Sequence, residues 1–376
     1  MTVSPRVRPL TLVLAIALAA SVGLGAWLVR ANGPVRAFNP DAAPVPAEPT
    51  AEPPAVTVAG EITSGLTTPW GLAFLPDGSA LLTERDTALI KLIPADGGPT
   101  TTLGAVDGSV HNGEGGLLGI AVPPGPDPSF LLAYTTTATD NRVVRIGWDG
   151  QRLGAQSPIL TGIPVNSFHD GGRILASPDG TFFVGTGDAG EPERAQDAAS
   201  LGGKVLHITA DGRPAPGNPE SASPVFTSGH RNVQGLAFDS VGRLWASEFG
   251  QSDADELNQL SAGDNYGWPV HEGAGGEVAY RDPAVQWSPT AIASPSGIAI
   301  LDDVAYVASL RGQTLWQVPL IGVRAAEPVA LDLGPLGRLR TVTVATDGSL
   351  WLVTSNTDRE DGLPPGSDRI LRLQAG

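Results

Sequence analysis

One pattern of residues recurs six times along the chain, and it limits the possible folds more than any other feature. Each copy runs through alternating apolar positions, turns at Asp or Gly, and returns through a second apolar run. The copies are GLAFLPDGSALLTER from Gly71, GIAVPPGPDPSFLLAYTT from Gly119, RILASPDGTFFVGTGD from Arg173, GLAFDSVGRLWASEFG from Gly235, GIAILDDVAYVASLRG from Gly297 and TVTVATDGSLWLVTSN from Thr341. Their starts are 48, 54, 62, 62 and 44 residues apart. Alternation with period two is the signature of a half-buried strand, and an Asp-Gly turn between two such runs makes a hairpin. A further short run follows each hairpin: ALIKLI, RVVRIGW, KVLHIT, ELNQL, TLWQV and RILRL. A small sheet of this kind cannot cover both of its faces alone, but six arranged in a closed ring can. The chain is therefore expected to be all-β, a six-bladed β-propeller. Its last strand, RILRLQ at 369–374, should share a blade with a strand from near Val58. The 48 Gly and 34 Pro suit a fold of many tight turns. A two-layer sandwich would leave the six similar units without a reason.

Ahead of the first copy the chain changes character. Arg6 and Arg8 precede LTLVLAIALAASVGLGAWLV at 10–29, a run without charge. As a helix such a run spans about 30 Å, one bilayer core. Residues 1–30 are thus expected to be a signal peptide or signal anchor, and 31–57, rich in Ala and Pro, an extended linker. The propeller domain is expected over 58–376. The protein should be exported and work outside the cytoplasm, either secreted or anchored to the outer face of the cytoplasmic membrane by 10–29. A formal net charge of −16 argues against nucleic acid as a partner. The chain has no Cys, which excludes disulfides, a thiolate nucleophile and zinc–sulfur sites.

Propeller loops gather at the ends of a central channel, and sites form where several blades contribute. The polar loops are HNGEGGLLG at 111–119 with Glu114, FHDGGR with His169, and GHRNVQGLAF at 229–238 with Arg231 and Asn232. Others are EFGQSDADELN at 248–258, GDNYGWP at 263–269, SLRG at 309–312 with Arg311, and GRLRTV at 337–342 with Arg338 and Arg340. Those four arginines come from three repeat units at matching strand edges, in a chain with 23 Lys plus Arg against 39 Asp plus Glu. Guanidinium groups bind carboxylates through two parallel hydrogen bonds, so the set suits a ligand with several carboxylates. The inserts 188–200 and 264–295 are expected to wall the pocket.

Taken in order, GEGGLLG, HDGGR, GDAG, GGKVLHI, DGRPAPGNP, GHRNVQGLAF, DELN, NYGWP, SLRG and GRLRTV give the chain from about residue 58 onward a resemblance to a known family. It resembles the soluble pyrroloquinoline quinone (PQQ)-dependent aldose sugar dehydrogenases, the glucose/sorbosone dehydrogenase family. The resemblance implies PQQ, a planar quinone with three carboxylates, held over the channel, and a sugar substrate oxidised at C1 to a lactone. Electrons would pass on to an external acceptor. It implies that His169 is the catalytic base, a role that suits an imidazole at neutral pH. Arg231 and Asn232 would bind the quinone oxygens, Arg311, Arg338 and Arg340 the carboxylates, and Glu114 the substrate or cofactor edge. Calcium is implied at the Gly250 and Gln251 carbonyls, with a second ion at the Glu256 carboxylate and the Tyr266 carbonyl. Oxygen ligands of both kinds suit this hard cation.

The chain departs from the family pattern at Val233, where Pro is usual, at Glu114, where Gln is common, and at Phe168, where glucose-oxidising members can carry Asp. Two rival readings share the fold: a calcium-dependent lactonase and a non-catalytic binding propeller. The first needs several carboxylates at the channel centre, where this sequence offers arginines. The second leaves His169 and the arginine set without a role.

Overall fold

A computed structural model describes residues 53–359 and 362–375. The expected signal segment at 1–30, its apolar run and most of the linker lie outside the described residues. Among the described residues no helix is long and apolar enough to cross a membrane.

Six sheets of four or five antiparallel strands make the propeller. The blades cover 69–105, 117–163, 174–228, 233–287, 295–331 and 339–375. The innermost strands are Pro69–Phe74, Leu117–Ala121, Ile174–Ala176, Val233–Phe238, Pro295–Leu301 and Leu339–Val344. Each packs on the next, and the last packs on the first, so the ring is closed. Closure is completed by Val56–Leu66, which pairs with Asp368–Ala375 as the outer strand of the sixth blade. This is the strand exchange expected from the sequence. It begins at Val56, and the Pro54 carbonyl already accepts a 2.8 Å hydrogen bond from Gln317 Nε2, a few residues ahead of the expected boundary.

The repeat works through its turns and its apolar positions. The Asp77, Asp179 and Asp347 carboxylates each accept from the backbone N–H two residues on, at 2.9, 3.0 and 2.9 Å. Between donor and acceptor sits a glycine in the left-handed region, with φ of 86° at Gly78, 85° at Gly180 and 81° at Gly348. The apolar residues then fill the spaces between blades. Leu81 and Ile90 meet Leu131 and Ile146, Tyr134 meets Phe182, and Phe183 meets Leu236. Trp245 meets Val307, Tyr306 meets Leu352, and Leu82 meets Trp351 around the rest of the ring. Each such side chain contributes about 1.5–3 kcal/mol on burial. That gain exists only when a neighbouring blade is present, so the ring folds as a whole.

Candidate active site

In every blade the start of the inner strand pairs with the end of the second strand, as in Pro69 with Glu84, Ile174 with Val184, Val233 with Glu248 and Leu339 with Thr354. Residues just before inner strands and just after second strands therefore share one end of the channel. Glu114, His169, Arg231, Asn232 and Arg338 belong to the first class, and Arg85, Asp188, Gly250, Arg311 and Asp358 to the second.

His169 is held tightly on this end. Its backbone has φ of 59°, a strained conformation for a residue with a side chain. Its carbonyl leaves no room at Gly187, where a Cβ would lie 1.9 Å from the His169 oxygen. The backbone N–H of His169 donates to Glu114 Oε2 at 2.9 Å, and Nδ1 is 2.7 Å from Asp188 Oδ1. Trp268 Nε1 and the Gly190 N–H also donate to Asp188, at 2.9 and 2.8 Å. Burial alone would raise the Asp188 pKa. The hydrogen bond and charge of His169, with the Gly190 and Trp268 donors, bring it below the usual carboxylate value. An ionised Asp188 takes the Nδ1 proton as its hydrogen-bond donor. The lone pair is then on Nε2, which bonds to no described residue.

Glu114 and Asn232 continue the network. Asn232 is fully buried, donates to Glu114 Oε2 at 3.3 Å, and accepts from the Gly171 N–H at 3.0 Å. The Glu114 oxygen is thus turned toward protein donors. Gln234 Nε2 is 3.4 Å from Asn232 Oδ1, and its Oε1 accepts from Arg340 Nη1 at 3.0 Å. Arg340 then donates to Asp358 Oδ2 at 3.1 Å, and Arg338 holds both oxygens of Asp358 at 2.8 and 3.1 Å. A continuous chain of hydrogen bonds therefore runs from His169 to Arg338. Burial pushes the Arg340 pKa down to about 10 even though Asp358 opposes it, and Arg340 Nε is buried without a partner. Arg231 lies 5.5 Å over the Trp268 ring and donates to the Gly250 carbonyl at 2.6 Å, and its Nε is likewise buried and unpaired. Two orphaned guanidinium N–H groups at one mouth fit an anionic ligand.

Arg311 follows the second strand of its blade at this end but is exposed, with no ion pair among the described residues. Arg338 and Arg340 are not the free clamps the motifs imply, because Asp358 already occupies them; buried cations need a counter-charge when no ligand provides it. Gln251 is exposed, and its N–H donates to Glu272 at 2.7 Å. Glu256 accepts from Gly273 N–H and from Asn258 Nδ2 at 2.7 and 2.9 Å. Burial, and then the charge of Glu248, raises the Glu256 pKa to about 8. Tyr266 stacks on His230 beside this pair, with ring centres 4.8 Å apart. Among the described residues no group of three or more His, Asp or Glu is set to hold a metal through side chains alone.

With this geometry in hand, the comparison with known proteins is decisive about kinship. Residues 66–363 match the family described as Glucose / Sorbosone dehydrogenase. The chain belongs to that family. It is similar to the PQQ-bound aldose sugar dehydrogenase of Streptomyces coelicolor, with 49% identity and a TM-score of 0.82 over 86% of this chain and 100% of that one. It is 36% identical to the uncharacterized protein slr1608 of Synechocystis over 56% of this chain and 58% of the relative. Its identity with quinoprotein glucose dehydrogenase B of Acinetobacter calcoaceticus is 32% over 55% of this chain and 51% of that one. The chain thus spans only a little over half the length of these two relatives.

For this member of the glucose/sorbosone dehydrogenases, reading the sequence missed Asp188, Trp268, Gln234 and Asp358. One signal was present. Glu84 and Glu248 end their second strands, and Asp188 and Asp358 follow theirs by three and four residues. Polar residues recurring at one edge of a repeat mark the mouth as well as the residues before the inner strands do.

Proposed function

We propose that the protein is a PQQ- and calcium-dependent dehydrogenase that oxidises aldose sugars at C1 to lactones outside the cytoplasm and passes the electrons to an external acceptor. Family membership supports the reaction class. The observation that carries the reading is the continuous network joining His169 to the Arg338–Arg340 pair across one mouth.

When bound, PQQ supplies the two-electron acceptor for the hydride that leaves C1. His169 Nε2 takes the proton of the C1 hydroxyl, and the breaking of the C1–H bond leaves the carbonyl of the lactone. Asp188 fixes the tautomer and stabilises the imidazolium that forms. Trp268 holds Asp188 in turn, so the base has little freedom to rotate. Arg231 and Asn232 supply donors for oxygens that gain negative charge. Arg338 and Arg340 bind carboxylates, with Arg311 as an outer contact. Calcium would be held at the Gly250 and Gln251 carbonyls, with Gly250 released from its 2.6 Å bond to Arg231. A cation at the buried Glu256 carboxylate would favour its ionised form against burial and the neighbouring Glu248.

The test is reconstitution. Purified protein is mixed with PQQ and calcium, and dye reduction is followed with a panel of aldoses. Sugar-dependent reduction that needs PQQ is expected. Lactone hydrolysis without PQQ, or no quinone uptake, would overturn the proposal in favour of a lactonase or a binding propeller.

A further inference from the structure

Arg173 opens the innermost strand of the third blade, and the site described above does not use it. Its side chain is buried inside the channel, with 8% relative exposure. Nε donates to the Gln234 carbonyl at 2.8 Å and Nη2 to Thr341 Oγ1 at 3.1 Å. The guanidinium carbon lies 4.3 Å from the centre of the Trp70 ring, and Arg340 lies 5.6 Å from the same ring. Arg173 is thus one residue removed from Arg340 and, through Gln234, from Asn232. Arg173 also lines a cavity of about 230 Å³, together with Leu72, Ile120, Ile174, Leu236 and Ile298.

The other buried and half-buried arginines of the mouth each have a carboxylate nearby. Arg338 and Arg340 share Asp358, Arg85 bonds Asp86 at 2.6 Å, and Arg231 feels Asp188, Glu272, Glu114 and Asp255. Arg173 has only neutral hydrogen-bond acceptors and an aromatic face. Burial first, and then the repulsion of Arg340, bring its pKa down to about 9, so it still carries its charge at neutral pH. A desolvated cation without a counter-ion costs stability. Stacking on Trp70 offsets only part of that cost. The chain could avoid it with a methionine or leucine at the same place.

We propose that Arg173 is a fixed positive charge beneath the cofactor site, which tightens the binding of an anionic quinone and favours its reduced form. This rests on the PQQ reading above and assigns a positioning residue that the motifs did not single out. The charge is placed behind the direct contacts, where protein covers most of its surface. The apoprotein bears the strain, and the loaded protein relieves it.

The experiment uses wild-type protein, Arg173→Met and Arg173→Lys, each freed of cofactor. PQQ is titrated in with calcium present and followed by absorbance, and melting is measured without PQQ. Arg173→Met is expected to bind PQQ about tenfold more weakly, as loss of one poorly screened charge implies, while Arg173→Lys stays within a few-fold of wild type. PQQ-free Arg173→Met should melt at or above the wild-type temperature. Its bound cofactor should show a lower midpoint potential, by about 30 mV for each tenfold loss of preference for the reduced form. Wild-type affinity in Arg173→Met overturns the inference. So does weak binding accompanied by a lowered melting temperature in both variants, the mark of a purely structural residue. If Arg173→Met does not fold, Arg173→Gln replaces it, and Gln binding as tightly as Lys overturns the inference equally. Wild-type protein that takes up no PQQ sinks the proposed function as well; wild-type uptake with an unaffected Arg173→Met sinks this inference alone.

Discussion

The two sides of the mouth are built on opposite principles. On one side, from the second to the fourth blade, His169 is held between two acids, Glu114 on its backbone N–H and Asp188 on its imidazole. On the other, Arg338 and Arg340 share a single carboxylate, Asp358, and Arg340 and Arg173 both lie over the Trp70 ring. The first side can accept and hold a proton. The second can hold negative charge. Asn232 and Gln234 are neutral amides that join the sides without belonging to either. Neutral connectors let one mouth carry both kinds of chemistry without the two sets of charges neutralising each other.

The comparison breaks most sharply at His169. His169→Ala should lower turnover by about 10²–10⁴-fold, the usual range for a lost general base, and leave PQQ affinity near wild type. Steady-state kinetics beside a PQQ titration measures both. On the opposite side, Arg340→Met should weaken PQQ binding by about 10–100-fold, as expected for a desolvated charge-assisted contact. Its turnover at saturating PQQ should change far less.

A different readout, stability against pH, tests the packing behind the base. Asp170 accepts from Asn141 Nδ2 and the Asn166 N–H but meets no cation; its other oxygen is buried without a partner. Burial, assisted by Glu114, raises its pKa to about 7 despite those bonds. The unfolded chain releases this proton near pH 4, whereas the folded chain keeps it until about pH 7. Stability therefore falls as pH rises through that window, by up to about 4 kcal/mol from this group. Asp170→Asn should flatten the slope of melting temperature against pH between those limits. An unchanged slope would show that Asp170 is not the group responsible. The smallest effect is expected at Arg311. It is exposed, so Arg311→Ala should weaken PQQ binding about fivefold or less. A loss as large as that of Arg340→Met would put Arg311 among the principal contacts.

The fold was legible because its unit repeats. Three of the six hairpins carry their register in an Asp-Gly turn, and a repeated blade that cannot cover its own faces calls for a closed ring. The mouth was legible only in part, for a physical reason. His169 and Arg231 stand five and two residues before inner strands, where the repeat itself fixes their side of the ring. Part of what orients them comes from neighbouring blades: Glu114 on the His169 N–H, and Trp268 on Asp188. Trp268 reaches Asp188 across 80 residues, and Arg173 reaches Thr341 across 168. No local pattern encodes such pairs, because insert lengths differ from blade to blade. The pairing of Arg338 and Arg340 with Asp358 was hidden likewise, since the turn between them follows no repeat.

The central claim is that one mouth separates proton handling from anion holding. It is tested most directly by titrating PQQ into wild-type, His169→Ala and Arg340→Met protein side by side and then adding sugar to each saturated sample. The account predicts that His169→Ala binds normally and does not turn over, while Arg340→Met binds weakly and turns over once filled. If both variants lose affinity and turnover together, the two sides are not separate devices, and the account is wrong.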